Sequence, residues 1–214
     1  MSTRQRYMAE LEEMNQNVIQ MSTRIEESIG KVIHALKNKD SEVANKIIED
    51  DDAIDEMERE IEAECIRIIA KQQPVAKDLR RVTSIMRMIS DIERIADHCA
   101  DISEYIILLS KEEKIPMPML VEDMLMKMKE MVVAAIDSFV NEDLEKAYYV
   151  KKADDVVDHY FDQILQDLCA AMEKQPELVK QYAYFIMIIK YIERMADHAT
   201  NMAEWNIFII TGDL

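Results

Sequence analysis

A ladder of acidic residues occurs twice in this chain, about one hundred positions apart. Its two copies are Glu93, Asp97 and Asp101, and Glu193, Asp197 and Asn201. On an α-helix, a spacing of four residues keeps each set within roughly 80° of rotation, so each set forms one stripe along its helix. Carboxylates held side by side repel one another unless a cation lies between them. The repeat therefore predicts two cation sites.

A second acidic stripe precedes each ladder. Its members are Asp51 and Asp55 in the first half, and Asp154 and Asp158 in the second. In an antiparallel bundle each stripe would face the ladder of its own half, because both flank apolar helix faces that must meet. Such a set of oxygen donors suits Fe, Mn, Mg or Zn ions, several of them bridged by shared carboxylates, without selecting among these metals. The alternative is that the stripes are ordinary solvated helix faces.

The second copy is the weaker one. Asn201 stands where the first half has the acid Asp101, and Phe161 and Leu165 replace two further glutamates of the first stripe. We therefore expect the second cluster to hold less charge and fewer ions.

Two histidines directly follow aspartates of the ladders. Helical geometry nevertheless turns His98 by about 100° from Asp97, and by about 60° from Asp101. We expect His98 and His198 to flank the sites without binding metal, with a role in orienting ligands or contacting partners left open.

A row of basic residues occupies a different face of the same predicted helix. Arg80, Arg87 and Arg94 lead to His98 at spacings of seven, seven and four. Pairing within the chain, which has a surplus of acids, is one interpretation. A basic docking strip on an acidic surface is the other.

Composition favours an all-α fold. Only 2 Gly and 4 Pro occur, too few for many tight turns. The net charge of -17 has the wrong sign for direct binding of nucleic acid or anionic lipid, and favours cations or basic protein surfaces as partners. No Gly-rich phosphate loop and no nucleophile with a paired base is present in the sequence, so we do not expect an enzyme.

Several features predict a cytoplasmic protein without membrane insertion. The N-terminus lacks an apolar run that could serve as a signal peptide. The most apolar segment, about 182–192, contains Lys190 and is too short to span a bilayer. Three widely separated cysteines, Cys65, Cys99 and Cys169, are expected to be reduced thiols in the core.

Apolar periodicity and turn residues predict six long helices. Their approximate ranges are 2–37, 41–71, 74–110, 119–140, 143–174 and 176–210. Short connections make sequential helices antiparallel. We thus predict two tandem, sequence-related three-helix bundles, at 1–112 and 119–214, joined by a linker at 113–118 that contains two prolines.

Two motifs closely resemble the signature of the PhoU family, whose members are accessory regulators of bacterial phosphate uptake. They are QQPVAKDLR at 72–80 and DIERIADH at 91–98, and the second recurs as YIERMADH at 191–198. The sixth helix departs from the pattern, because no Asp-Leu-Arg tripeptide follows Pro176.

The resemblance implies a fold of two three-helix bundles and multinuclear metal clusters held by the Glu/Asp-xxx-Asp motifs identified above. It further implies a homodimer that restrains the ATPase of the high-affinity phosphate ABC transporter and the phosphate-sensing histidine kinase, and so the response to phosphate starvation. A different interpretation is a carboxylate-bridged metal bundle with a redox or storage role. Such di-iron bundles use Glu-x-x-His, whereas Glu93 and His98 are five residues apart.

Overall fold

The computed structural model describes residues 3–112 and 115–213. Residues 113 and 114 of the predicted linker, and the chain ends at 1, 2 and 214, lie outside the described residues. The described residues form six long helices and one short 3-10 helix, and the all-α prediction is confirmed. They are α1 Thr3–Asn38, α2 Ser41–Gln72, α3 Lys77–Ser110, α4 Val121–Asn141, α5 Leu144–Lys174, the 3-10 turn Pro176–Leu178 and α6 Val179–Thr211.

The starts of α2 and α5 show how the repeat specifies local structure. The Asp40 side chain accepts hydrogen bonds from the backbone N–H groups of Glu42 and Val43, at 3.0 and 3.1 Å. Asp143 accepts one from Lys146, also at 3.1 Å. These are N-caps, which satisfy amide groups that the first helical turn leaves unpaired. Equivalent aspartates thus begin equivalent helices.

The turn before α3 differs from the sequence prediction. The proposed start at Pro74 is wrong by three residues, because Gln73 caps α2 in the left-handed conformation and α3 begins only at Lys77. The intervening Ala76 has φ 47° and ψ −115°, a region that side chains with a Cβ atom rarely adopt. This turn therefore stores backbone strain.

The helices form two groups of three, α1 to α3 and α4 to α6, which share one continuous apolar core. The most extensive contact between any two helices joins α3 to α6, and α1 also packs on α4. The two units are therefore packed directly against each other, in addition to being joined along the chain. No helix in the described ranges is both long and apolar enough to cross a membrane.

Helices α3 and α6 are antiparallel and related by a pseudo-two-fold axis. Their facing residues include the pairs Asp91 with His198, His98 with Tyr191, and Tyr105 with Tyr184. Each step of seven residues forward on α3 is matched by seven residues backward on α6. Since the repeat relates positions about one hundred apart, the first two pairs are the same contact seen from each half.

The prediction of three core thiols is wrong for one cysteine. Cys65 and Cys99 are buried, whereas Cys169 is exposed on α5. The reason is rotation along the helix: Ile164 and Leu168 are buried, and the next residue turns about 100° away from the core.

The strained turn predicts that Ala76→Gly stabilises the protein. Glycine adopts this backbone conformation without the Cβ clash, and relief of strain should exceed the entropy lost by ordering a glycine, for a gain of about 1 kcal/mol in the free energy of unfolding. Urea denaturation of both proteins would measure the difference. Gln73→Gly is a matched control with a smaller expected gain, because its φ 48° and ψ 57° lie in the left-handed region that other residues tolerate. A loss of stability in Ala76→Gly would contradict the assignment of strain.

Candidate metal centre

The first candidate centre lies between α2 and α3. Carboxylate oxygens of Asp51, Asp55 and Asp97 all lie within 4.8 Å of one another. The two aspartates of α2 are one helical turn apart, and the packing of α2 on α3 brings the third to them. All three side chains are partly buried. The tertiary structure thus joins the two predicted stripes of the first half.

Further acids surround these three. Burial is the main cause that raises the pKa of Asp51 from 3.8 to about 6, and the nearby carboxylates of Asp97, Asp55, Asp52 and Asp101 add to it. Burial also raises the pKa of Glu93 from 4.5 to about 7, with Asp97 adding to the shift and Arg94 opposing it. These carboxyl groups therefore interact as one cluster.

The protein's own cations neutralise this cluster only at its edge. Arg94 lies 2.8 Å from Asp97 and 3.4 Å from Glu93, and Arg59 lies 3.3 Å from Oδ2 of Asp55. Both arginines are largely exposed. The other oxygen of Asp55, Oδ1, is buried and has no hydrogen-bond partner among the described groups. A buried carboxylate oxygen without a partner is costly, and a bound metal ion would satisfy it.

The second candidate centre occupies the equivalent place between α5 and α6. Burial is the main cause that raises the pKa of Asp154 to about 6, and Asp158 and Asp197 add to it. The pKa values of Asp158 and Glu193 are raised too, by burial first and then by Asp197. A side-chain hydrogen bond with Thr200 partly offsets the rise in the pKa of Asp154.

The two centres are unequal. Within residues 3–112 and 115–213, only the first centre brings three ligand atoms within 4.8 Å of one another. In the second, Asp158 and Asp197 are exposed. Asn201, which the repeat places among the ligands, instead donates through Nδ2 to Oδ1 of Asp91 at 3.2 Å. Its side chain thus bonds to α3 of the other half.

Both histidines lie at the α3–α6 interface. His98 Nδ1 is 3.1 Å from Asp101 Oδ2, and His198 Nδ1 is 2.9 Å from Asp91 Oδ1. Their rings are 5.7 Å apart between centroids. His98 therefore holds one carboxylate of the first centre while packing against the second half, so that the centre and the interface are physically connected.

Sequence reasoning missed Asp91. It belongs to neither stripe, and nothing in its spacing distinguishes it. Its role depends on the register between α3 and α6, which brings His198 and Asn201 to a single oxygen of its carboxylate.

The predicted basic row is divided among several environments. Arg80 packs its guanidinium group against Gly212, at the C-terminal end of α6. Arg94 pairs with Glu93 and Asp97. Arg87 lies at a groove beside Trp205. Pairing within the chain thus accounts for Arg94, and the row does not form a continuous strip.

Comparison with known proteins identifies the family. A family model described as PhoU domain matches twice, at residues 18–106 and 121–206. The phosphate-specific transport system accessory protein PhoU homolog of Clostridium acetobutylicum is 37% identical over 211 residues, which are 98% of this chain and 96% of that protein. The corresponding homolog of Pseudomonas aeruginosa is 33% identical over 209 residues, covering 97% of this chain and 86% of that protein.

Solved structures agree with these relatives. The crystal structure of PhoU from Pseudomonas aeruginosa superposes with a TM-score of 0.94 at 32% identity, covering 97% of this chain and 100% of that one. The crystal structure of the phosphate transport system regulatory protein PhoU from Streptococcus pneumoniae superposes with a TM-score of 0.91 at 31% identity, covering 97% of this chain and 98% of that one.

The raised pKa values predict how the metal-free protein responds to pH. Because Asp51 and Glu93 hold protons in the folded state up to about pH 6 and 7, the folded protein binds more protons than the unfolded chain above the ordinary values of 3.8 and 4.5. The free energy of unfolding should therefore fall as the pH rises from about 4 to about 7, and then level off. Urea denaturation across this range in the presence of a chelator would measure it.

The double variant Asp51→Asn, Glu93→Gln serves as the control. It removes both titrating groups but keeps their size, so its stability should depend less on pH over the same range. An unchanged slope would show that other groups control the response.

Proposed function

The chain belongs to the PhoU domain family, and on this premise we propose that it is a cytoplasmic regulator that restrains phosphate uptake and the response to phosphate starvation. The observation that carries the proposal is the match over almost the whole chain to proteins named as phosphate transport accessory proteins. We propose that it acts through protein contacts and not as a catalyst.

The proposed partners are the ATPase of the high-affinity phosphate ABC transporter and the phosphate-sensing histidine kinase. The charge of -17 supports contacts with basic protein surfaces. Long helices with exposed polar faces offer a rigid surface for such contacts. We further propose that the protein functions as a homodimer.

The second part of the proposal is that metal ions occupy the carboxylate centres. Asp51 and Asp55 on α2 and Asp97 on α3 supply oxygen donors, and the unpaired Oδ1 of Asp55 supports this assignment. A bound metal supplies positive charge there. The side chains of the protein position the oxygen donors. Asp101 connects these donors to His98, and hence to the α3–α6 interface. Metal content and the geometry of α2 and α3 would then be coupled.

Elemental analysis of the purified protein should detect metal, and variants should remove it from one half at a time. Glu93→Gln, Asp97→Asn and Asp101→Asn together should abolish binding in the first half and lower the melting temperature towards that of chelator-treated wild type, because the ion no longer joins α2 to α3. Glu193→Gln with Asp197→Asn is the matched variant, and it should leave the metal of the first half in place. Full metal content in the triple variant, or a melting temperature insensitive to chelator in wild type, would contradict the assignment.

Capture of partners tests the regulatory role. Tagged protein should retain the transporter ATPase and the histidine kinase from cells grown in high phosphate, and retain less of one or both from cells grown in low phosphate. Disruption of the gene should raise phosphate uptake when phosphate is plentiful. Unchanged uptake together with no capture in either condition would rule the proposal out.

A further inference from the structure

A polar groove of about 300 Å³ lies between α3 and α6, on the side of the interface where Asp91 meets His198. Its lining residues are Arg87, Ser90, Asp91, Asn201, Glu204 and Trp205. None of the carboxylates that form the two candidate metal centres is among them.

The positions that the pseudo-two-fold axis makes equivalent carry different residues in the other half. Positions 90 and 91 correspond to Lys190 and Tyr191. The Lys190 ammonium group lies 5.6 Å from the centroid of the Tyr191 ring, and the Tyr105 ring lies 6.2 Å from the same ring. At these positions of the second half a basic side chain thus lies over an aromatic ring, whereas the smaller Ser90 and Asp91 line the groove.

The groove combines an aromatic wall with acidic groups. Trp205, the counterpart of Tyr105, is partly exposed and is the only tryptophan of the chain. Asp91 is largely buried, with 12% of its side chain exposed. Both of its hydrogen bonds, from His198 and Asn201, end on Oδ1, and Oδ2 has none within the described part of the chain. Glu204 adds a second carboxylate, which pairs with exposed Lys151 at 2.7 Å.

An aromatic face beside a partly desolvated carboxylate favours a planar cation. A guanidinium group can stack on an indole ring and donate hydrogen bonds to a carboxylate in the same plane, whereas an ammonium group offers only a compact point charge. The overall negative charge of the protein favours a basic partner as well. Arg87, exposed at the rim, opposes entry of a cation and would assist an anion, which makes it a diagnostic residue.

We propose that this groove receives an arginine side chain of a partner protein, which stacks on Trp205 and pairs with Asp91. The inference rests on the proposed function, because it names a contact point for the regulator's protein partner.

Fluorescence of Trp205 can report directly on occupancy of the groove, since no other tryptophan contributes. The probe is N-acetylarginine amide, titrated into the full-length protein, with N-acetylglutamine amide and inorganic phosphate as comparison ligands. We expect a saturable change in emission with the arginine derivative alone. No saturable response to it, or an equal response to the glutamine derivative, would overturn the proposal.

Three variants test the assigned roles. Ser90→Lys replaces an exposed hydroxyl that donates to Glu58 at 2.7 Å with the lysine of the second half. Where that lysine lies over the groove it should abolish the response, and circular dichroism and melting check that the fold is retained. Asp91→Asn should weaken binding about tenfold, since a charge-assisted hydrogen bond is lost. Arg87→Gln should tighten binding of the arginine derivative, because a like charge is removed. Weaker binding in Arg87→Gln, together with a saturable response to phosphate, would make the groove an anion site and overturn the proposal.

Capture of partners by Ser90→Lys separates this inference from the proposed function. If wild type retains the transporter ATPase or the kinase, the variant should lose at least one of them, and unchanged capture would overturn the groove's role. If wild type binds the arginine derivative but retains neither protein and its gene has no effect on phosphate uptake, the proposed function fails while the groove's recognition of arginine stands.

Discussion

The antiparallel contact between α3 and α6 is the interaction on which the rest of this protein depends. Helix α3 carries one acidic ladder on one face and contributes to the interface with another, and on α6 the last ladder residue, Asn201, itself bonds across the interface. Because the two faces belong to the same rigid helix, a rotation of α3 that repacked the interface would also move Asp97 relative to Asp51. His98 makes this coupling direct, since it contacts a cluster carboxylate and the rings of the opposite half.

Electrostatic repulsion is the second organising constraint. Partial burial of Asp51, Glu93 and Asp154 disfavours their charged forms, and neighbouring acids add to the effect. Apolar side chains at these positions would stabilise the packing of the helices more than these carboxylates do. The acidic residues therefore lower the free energy of unfolding of the metal-free protein. Proton uptake and cation binding are two ways of reducing that loss of stability, and the ambient pH and metal concentration decide between them.

Much of the fold could be predicted from the sequence because its determinants are local. Periodic apolar residues marked each helix, and Asp40 and Asp143 marked two of the starts. The carboxylates that share a helix face followed from spacing alone. What could not be predicted depends on tertiary register: the distances within the carboxylate cluster, the pairing of Asp91 with His198, and the distance between the histidine rings. The predicted start of α3 at Pro74 was wrong for a different reason. Proline favours the first turn of a helix, but the left-handed cap at Gln73 displaced the start of α3 along the chain.

The pseudo-two-fold axis has a consequence for how many partners one chain can engage. In a true symmetric dimer of identical subunits, any change at the interface appears on both sides, so two equivalent contact points are unavoidable. Here a single chain supplies both sides, and each can change alone. Asp91 faces His198 on one side, while Tyr191 faces His98 on the other. A nearly symmetric scaffold thereby acquires a direction: a bound protein would be oriented by the difference between the halves, with one such protein for each chain.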